Sequence, residues 1–352
     1  MKPRYRIVRS NAPGWFSPLL PVIAIIATFI ITSVFILIAH ANPIQAYYYF
    51  LISPLSSRVS ALEVLVKSTP LLLTGASVTI AFASGYWNIG AEGQLYAGAI
   101  AAAWLGTVLG NLPPIAAIPL MLLGGFTAGV LWALIPAILK VKLAVDEVVT
   151  TLLMNSIISF IVSALLNGPW RDPVSGWPQS PTIAPSTILP KLIDRSRLHL
   201  GFIVAVLAVA AVWFILSRTS LGIRMRAVGM GQEAAHFMGI KIGRTLFTTA
   251  LISGGIAGLA GVTEVAGIQF HLIAALSPGY GYSGIIAATL GNLNPIGAGV
   301  SSIFLGLISN GAQSVSRALA VPSFLGDVVQ ATLLLVTLAF FLMRNYTIKK
   351  VE

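Results

Sequence analysis

Apolar runs long enough to cross a bilayer recur along the whole chain, and they constrain its fold more than any motif. A helix rises about 1.5 Å per residue, so about 18–20 apolar residues cover the ~30 Å hydrocarbon core. Runs of about that length lie near 19–40, 62–84, 115–139, 148–166, 200–216, 246–266, 298–315 and 324–343, with a further one ending near Gly110. Only 9% of the 352 residues are charged and 57% are hydrophobic, whereas a soluble domain carries about 25% charged residues. The expected fold is all-α, a polytopic transmembrane helical protein. A porin-like barrel would instead show short alternating segments.

Basic residues set the expected orientation. Lys2, Arg4, Arg6 and Arg9 precede the first run, and Lys140 and Lys142 follow the run at 115–139. Arg218, Arg224, Arg226, Lys241 and Arg244 lie between the runs at 200–216 and 246–266, and Arg344, Lys349 and Lys350 end the chain. Such residues collect in cytoplasmic loops. Counting a broken apolar region at 277–297 as a crossing gives about ten spans with both termini cytoplasmic. An odd number would put the C-terminal RNYTIKK outside. The expected division is a cytoplasmic tail over 1–18, a single transmembrane domain over 19–343 and a cytoplasmic tail over 344–352. The first run lacks a small-residue cleavage site after a short apolar core and reads as a retained anchor. The largest outside loop is 167–198, where Pro169, Pro173, Pro178, Pro181, Pro185 and Pro190 interrupt any regular helix.

Several function classes find no support. The net charge of +11 follows the loops and points to membrane orientation, not to nucleic acid. Cysteine is absent, so there is no disulfide framework or thiolate metal site. His40, His199, His236 and His271 are scattered without metal-ligand spacing. Gly279-x-Gly281-x-x-Gly284 matches the dinucleotide fingerprint, but no strand or βαβ unit surrounds it. There is no phosphate-binding loop, so the chain itself is not expected to hydrolyse ATP. No His-Glu-x-x-His or nucleophile elbow supports an enzyme.

One polar stretch, 218–244, separates the runs at 200–216 and 246–266. It predicts a short helix over Gln232–Met238 between Gly229 and Gly231 on one side and Gly239, in a left-handed cap, on the other. Glu233 falls in the first turn and His236 towards the other end, as the helix dipole favours. Ala234, Phe237 and Met238 share one face. The stretch reads either as a surface that meets a soluble partner or as an amphipathic connector on lipid headgroups.

Polar and glycine-rich breaks mark other positions. Gly85–Gln94 interrupts apolar sequence, as do Ser277–Gly284 and Gly291–Pro295. Irregular backbone at membrane depth is tolerated only when buried in protein or lining a polar cavity. Gly254, Gly258 and Gly261 permit close helix approach. Glu63 and Lys67, four apart, could pair on one helix face, and Asp146 or Glu147 suits a helix start. Glu92 is the only acid closely flanked by spans and broken backbone; Glu63, Glu264 and Asp327 fall near outer ends. Glu92 reads either as a local helix-start group or as a polar group on a path.

Asn88-Ile89-Gly90-Ala91-Glu92-Gly93-Gln94 resembles the Asn-(Ile/Leu)-Gly-x-Glu-Gly-Gln signature of permease subunits of ATP-binding-cassette (ABC) importers, in the branch that handles simple sugars, nucleosides and branched-chain amino acids. Arg226–Gly229 through Ala234-Ala235 to Gly239-Ile240 is similar to that family's cytoplasmic coupling segment. Asp146–Asn155, Ser196–Gly201 and Gly281–Gly291 resemble the nucleoside-type members. The resemblance covers roughly 60–343, leaving out the first 18 residues and the loop 167–190. It implies a ten-helix type II ABC importer permease fold with one re-entrant or broken helix region. It also implies an ABC ATPase docked on Gly229, Glu233, Ala234, Ala235, Phe237, Gly239 and Ile240, with ATP and Mg bound by that partner and no cofactor in this chain.

A second, related permease and an extracytoplasmic substrate-binding protein are the other implied partners, in a bacterial or archaeal plasma membrane. The expected activity is uptake of a nucleoside or related simple sugar by ATP-driven alternating access. The expected path residues are Asn88, Glu92 and Gln94, with Asn292 and Asn294. Their polar groups could bond ribose or base while Trp87 or Tyr282 stacks; alternatively the amides cap helix ends. An ion-coupled carrier of a small polar solute is the alternative activity. A non-transport membrane protein would need catalytic residues that the sequence lacks.

Overall fold

Every apolar run forms a helix. The computed structural model describes residues 4–9, 16–322 and 324–351. In chain order the helices are α1 (Phe16–Ile38), α2 (Pro43–Tyr47), α3 (Arg58–Ala83), α4 (Ala91–Val108), α5 (Pro114–Leu143), α6 (Glu147–Asn167) and α7 (Gly201–Arg218). There follow α8 (Ser220–Met230), α9 (Gln232–Phe237), α10 (Ile242–Glu264), α11 (Tyr280–Leu290), α12 (Pro295–Leu319) and α13 (Leu325–Asn345). Seven of these, α1, α3, α5, α6, α7, α10 and α12, have the length and apolarity to cross a membrane. The other expected crossings fall on α4, α13 and α11. With 11 residues, α11 is only ~16 Å long, about half the hydrocarbon thickness.

The chain divides into two compact units, 57–307 and a unit of 1–56 with 308–352. In the latter, α1 packs along α13, and a Cβ on Gly311 would overlap the backbone of Phe50. The all-α expectation gains one addition there. Strand β1 (Arg4–Arg9) pairs antiparallel with β2 (Tyr346–Val351), with Arg4 opposite Val351 and Arg9 opposite Tyr346. Both segments carry β-branched and aromatic residues that favour strands, and their pairing brings the two tails together.

In unit 57–307, α3 and α10 are the enclosed helices, whereas α5, α6 and α7 each keep an exposed apolar face. Enclosure explains the hydroxyls of α3. Ser68, Thr69, Thr74 and Thr79 each donate to the carbonyl four residues back, which satisfies a polar group where no water reaches. The glycines of α10 act as expected. A Cβ on Gly254 or Gly258 would overlap α5, and one on Gly261 would overlap the Leu95 carbonyl of α4. Three helix backbones therefore meet with no side chain between them.

One local expectation is corrected, and two positions are made specific. Glu63 does not pair with Lys67; Arg197 takes both its carboxylate oxygens, at 3.0 and 2.5 Å. A planar guanidinium matches a carboxylate better than an ammonium does. Of the two acids at the start of α6, Asp146 is the cap, accepting from Val148 N and Val149 N, while Glu147 is buried and pairs with Lys140 at 2.5 Å. Gly229, ahead of the short helix, lies inside α8, where that helix approaches α3 closely.

The loop 167–198 has no long helix among its described residues, as its prolines require. It is pinned at its end by His199, 2% exposed, whose Nδ1 accepts from Gly201 N at 3.1 Å. The ring fills the space that a Cβ on Gly201 or Gly267 would occupy, and burial pushes the imidazole down to about 4. The unfolded chain then binds the proton more readily. This contribution is complete above pH ~6.5 and is lost as pH falls towards 4, on the order of 3 kcal/mol in all. The melting temperature of the purified protein should therefore fall between pH 6.5 and 4.5, and His199→Asn should flatten that slope. Separately, Gly258→Val should cost about 1–3 kcal/mol by overpacking and lower the melting temperature in detergent. Gly231→Ala, whose new Cβ meets only the Ala234 Cβ at 4.0 Å, should not.

Candidate functional site

The turn from Gly85 to Gly93 joins α3 to α4; Gly85 N and Tyr86 N bond back to Phe82 O and Ala81 O of α3, and one face of α6 holds much of the remaining backbone. Glu147, Thr151 and Asn155 stand four residues apart and so line one stripe of that helix. Glu147 Oε1 accepts from Trp87 N at 3.4 Å, Thr151 Oγ1 from Ile89 N at 3.2 Å, and Asn155 Oδ1 from Gly93 N at 2.8 Å. Asn155 Nδ2 donates in turn to Ile89 O at 3.0 Å and to the Tyr282 hydroxyl at 3.2 Å. The stripe replaces the helical hydrogen bonds that the turn gives up, as buried backbone requires.

Within the turn the amides face one another. Asn88 Nδ2 donates to Gln94 Oε1 at 2.9 Å and to Ser253 Oγ of α10 at 2.8 Å, and Gln94 Nε2 returns a bond to Asn88 Oδ1 at 3.2 Å. Asn88 Oδ1 also accepts from Gly90 N. Ser253 and Ser77 of α3 bond through their hydroxyls at 2.9 Å. Asn88 and Gln94 are 0% and 2% exposed, so a continuous polar chain ties α3, α4 and α10 together in the bundle interior.

Glu92 sits beside this network and reaches a different element. It lies in the first turn of α4, yet its Oε2 accepts from Gly281 N, in the first turn of α11, at 2.6 Å. Ser277 lies against the same carboxyl, and its Oγ accepts from Gly279 N and Tyr280 N. One carboxylate thus faces the positive ends of two helices. The segment leading to α11 is irregular. Tyr96 supports it, donating to Ala274 O at 2.9 Å and accepting from Ser277 N at 3.2 Å. A Cβ on Gly281 would overlap the backbone of Glu92, so only glycine lets the half-helix seat there.

The expected path residues separate into two groups. Asn88, Glu92 and Gln94 come together. Asn292 and Asn294 stand apart from them and are exposed. Asn292 adopts φ 54°, and Asn294 Oδ1 accepts from Ile296 N and Gly297 N at the start of α12. Trp87 packs against Phe82 with ring centroids 4.6 Å apart. Glu147, Thr151 and Asn155 were not singled out as site residues, although a polar residue at every fourth position of an apolar helix was the available signal.

The expected coupling residues lie on α8, α9 and the link after them. Glu233 is in the first turn of α9, and Gly239 takes the left-handed conformation, φ 76°. Ala235 is fully buried, while Glu233, Ala234, Phe237 and Gly239 are exposed. Val228 and Ala235 share a core cluster with Phe82, Tyr86, Ala91 and Leu246, with Ile240 packed against it. Gly229 is seated on the end of α3, where a Cβ would overlap the Ala83 carbonyl; Gly85, opposite, has φ 75° and would bring a Cβ to 3.3 Å from Gly229 Cα.

Enclosed α3 and α10, apolar faces on α5, α6 and α7 and a buried polar turn define a multi-pass helical membrane protein, and the family it falls in makes it a transporter subunit. The chain belongs to the family described as the branched-chain amino acid transport system permease component, which matches residues 60–338. It is 34% identical to a glucose ABC transporter permease protein of Haloferax volcanii, over 95% of this chain and 90% of the relative. It is 36% identical to a guanosine ABC transporter permease protein of Bacillus subtilis, over 82% of each. A nucleoside ABC transporter permease protein of Lactococcus lactis is 29% identical over 92% of each.

Removing either member of the Lys140–Glu147 pair should destabilise the turn. A double-mutant cycle of Lys140→Ala and Glu147→Ala, read by thermal unfolding, should return a coupling of about 1–3 kcal/mol. A coupling near zero would mean that the pair does not hold the turn.

Proposed function

We propose that this chain is the membrane subunit of an importer driven by ATP hydrolysis on a separate subunit, and that its cargo is a nucleoside or a related simple sugar. The observation that carries the reading is the contact of Gly229 with Ala83 and Gly85, three residues before Asn88. A chain without a phosphate-binding loop needs work from outside. The exposed face of α9, with Glu233, Ala234 and Phe237, is where a soluble ATPase docks. Ala235 and Ile240 anchor that helix to the core. Displacing α8 and α9 then moves the Asn88 turn through packed backbone, which has little room to absorb the motion.

The relatives named for guanosine, nucleoside and glucose transport share cargo with a hydroxyl-bearing ring. Asn88, Glu92 and Gln94 offer amide and carboxylate groups to such a ring once the bundle opens and their mutual bonds are exchanged. Asn292 and Asn294 play a lesser part as the exposed cap of α12. The partners in this reading are the ABC ATPase, which binds ATP and Mg, a related second permease and an extracytoplasmic binding protein. The chain needs no cofactor of its own. It lies in a bacterial or archaeal plasma membrane with both termini cytoplasmic.

Uptake of labelled guanosine and glucose, in cells with and without this chain, tests the reading. Loss of one uptake on deletion, with a proton uncoupler harmless while ATP is kept up, is the expected result. Collapse with the uncoupler would establish ion coupling instead. Phe237→Ala should weaken ATPase binding by about 1–2 kcal/mol, roughly tenfold, without changing the melting temperature. Unchanged binding would remove α9 from the interface.

A further inference from the structure

A cavity of about 420 Å³ opens between α8, the link after α9 and the first two turns of α10. Arg224, Lys241 and Arg244 contribute three cations to its lining, and Thr245 and Thr248 form the wall on the α10 side. No carboxylate lines it, and among the described residues none of the three cations has an ion-pair partner. Arg224 Nε donates to Ser220 O at 3.2 Å, which steadies the guanidinium at the rim. Three unpaired like charges around one recess repel one another, and an anion between them removes that cost.

The anion must suit the depth and size of the recess. Thr245 and Thr248 belong to the same helix as the apolar span, so the recess sits where α10 leaves the hydrocarbon. Leu221 and Ile240 add apolar wall. At the nearby end of α7, Arg218 lies over the Trp213 ring at 5.9 Å, an arrangement suited to the headgroup layer. A lone carboxylate from a partner fills only ~60 Å³, about twice a water's share of volume. Basic recesses between helices on the cytoplasmic side favour phosphate-bearing lipid headgroups.

We propose that this recess holds the phosphate of an anionic phospholipid headgroup, and that the bound headgroup braces the Gly239–Lys241 link from which α9 is hung. Gly239 and Ile240 form part of its wall, so occupancy bears on the position of α9. The inference rests on the cytoplasmic placement of this segment in the proposed function, but not on the cargo.

The assembled transporter, in nanodiscs of phosphatidylcholine with and without phosphatidylglycerol, is examined by native mass spectrometry for retained phosphatidylglycerol, with no cargo or ATP present. Arg224→Gln combined with Arg244→Gln should weaken retention about thirtyfold, at roughly tenfold or less per lost charge. Arg226→Gln, an exposed charge on α8 outside the recess, should leave retention unchanged. Thr248→Phe, which fills the recess with its charges intact, should also expel the lipid and guards against misfolding of the double variant.

Equal loss with Arg226→Gln would mean a diffuse basic belt and overturn the proposal. Displacement of the lipid by inorganic phosphate at equal concentration would make the site one for free anions. Unchanged lipid retention with loss of the ATPase from the double variant would make it a protein contact. Failure of guanosine and glucose uptake to depend on the chain would sink the cargo assignment alone, because lipid retention is read without cargo.

Discussion

The carboxylate of Glu92 facing Gly281 N is the interaction on which the interior depends. A helix that begins buried in the bundle, as α11 does at Tyr280 and Gly281, presents unsatisfied N–H groups with no water to receive them. Glu92 and Ser277 supply acceptors there, and the two helix dipoles favour the negative charge. Such a carboxylate in apolar surroundings would be costly without those donors. Gly281 is the matching requirement, since any side chain would push the half-helix off its partner. The irregular segment before α11 then follows from the Tyr96 and Ser277 contacts.

Close backbone packing makes that arrangement rigid. The glycines of α10 bring α4 and α5 against it with no side chain between, so the hydroxyls and amides of Ser77, Asn88, Gln94 and Ser253 can meet in one network. The stripe of Glu147, Thr151 and Asn155 closes the same turn from the other side. Buried polar groups in a low dielectric are either fully paired or expensive. This pairing holds the turn in one geometry until something moves its supports. Gly229 on Ala83 places the surface helices among those supports, which is the physical basis for reading α8 and α9 as a lever.

Much of this was legible in the chain, in uneven degree. The long helices follow from hydropathy, because a span must be apolar along its whole length. The short α9 followed from Gly231, Glu233 and Gly239, whose local preferences need no tertiary partner. Asn88, Glu92 and Gln94 stood out as polar groups in broken apolar sequence. Their roles did not, since an amide four or six residues from another can cap a helix, line a path or pair with its neighbour. Glu63 illustrates the limit. Its helical neighbour Lys67 was the partner visible in sequence, but Arg197, 134 residues away, holds it.

By itself the sequence determined a helical membrane bundle, its order of spans, the position of its breaks and the charge asymmetry of its loops. These depend on composition and local spacing, to which each residue contributes independently of the rest. Only the tertiary structure decided that Glu92 serves α11 as well as α4, that Gly229 seats on Ala83, that α6 splints the turn and that three cations share one recess. Each of those is a meeting of residues distant in the chain, and shape and hydrogen-bond geometry in the folded bundle select such meetings where periodicity cannot.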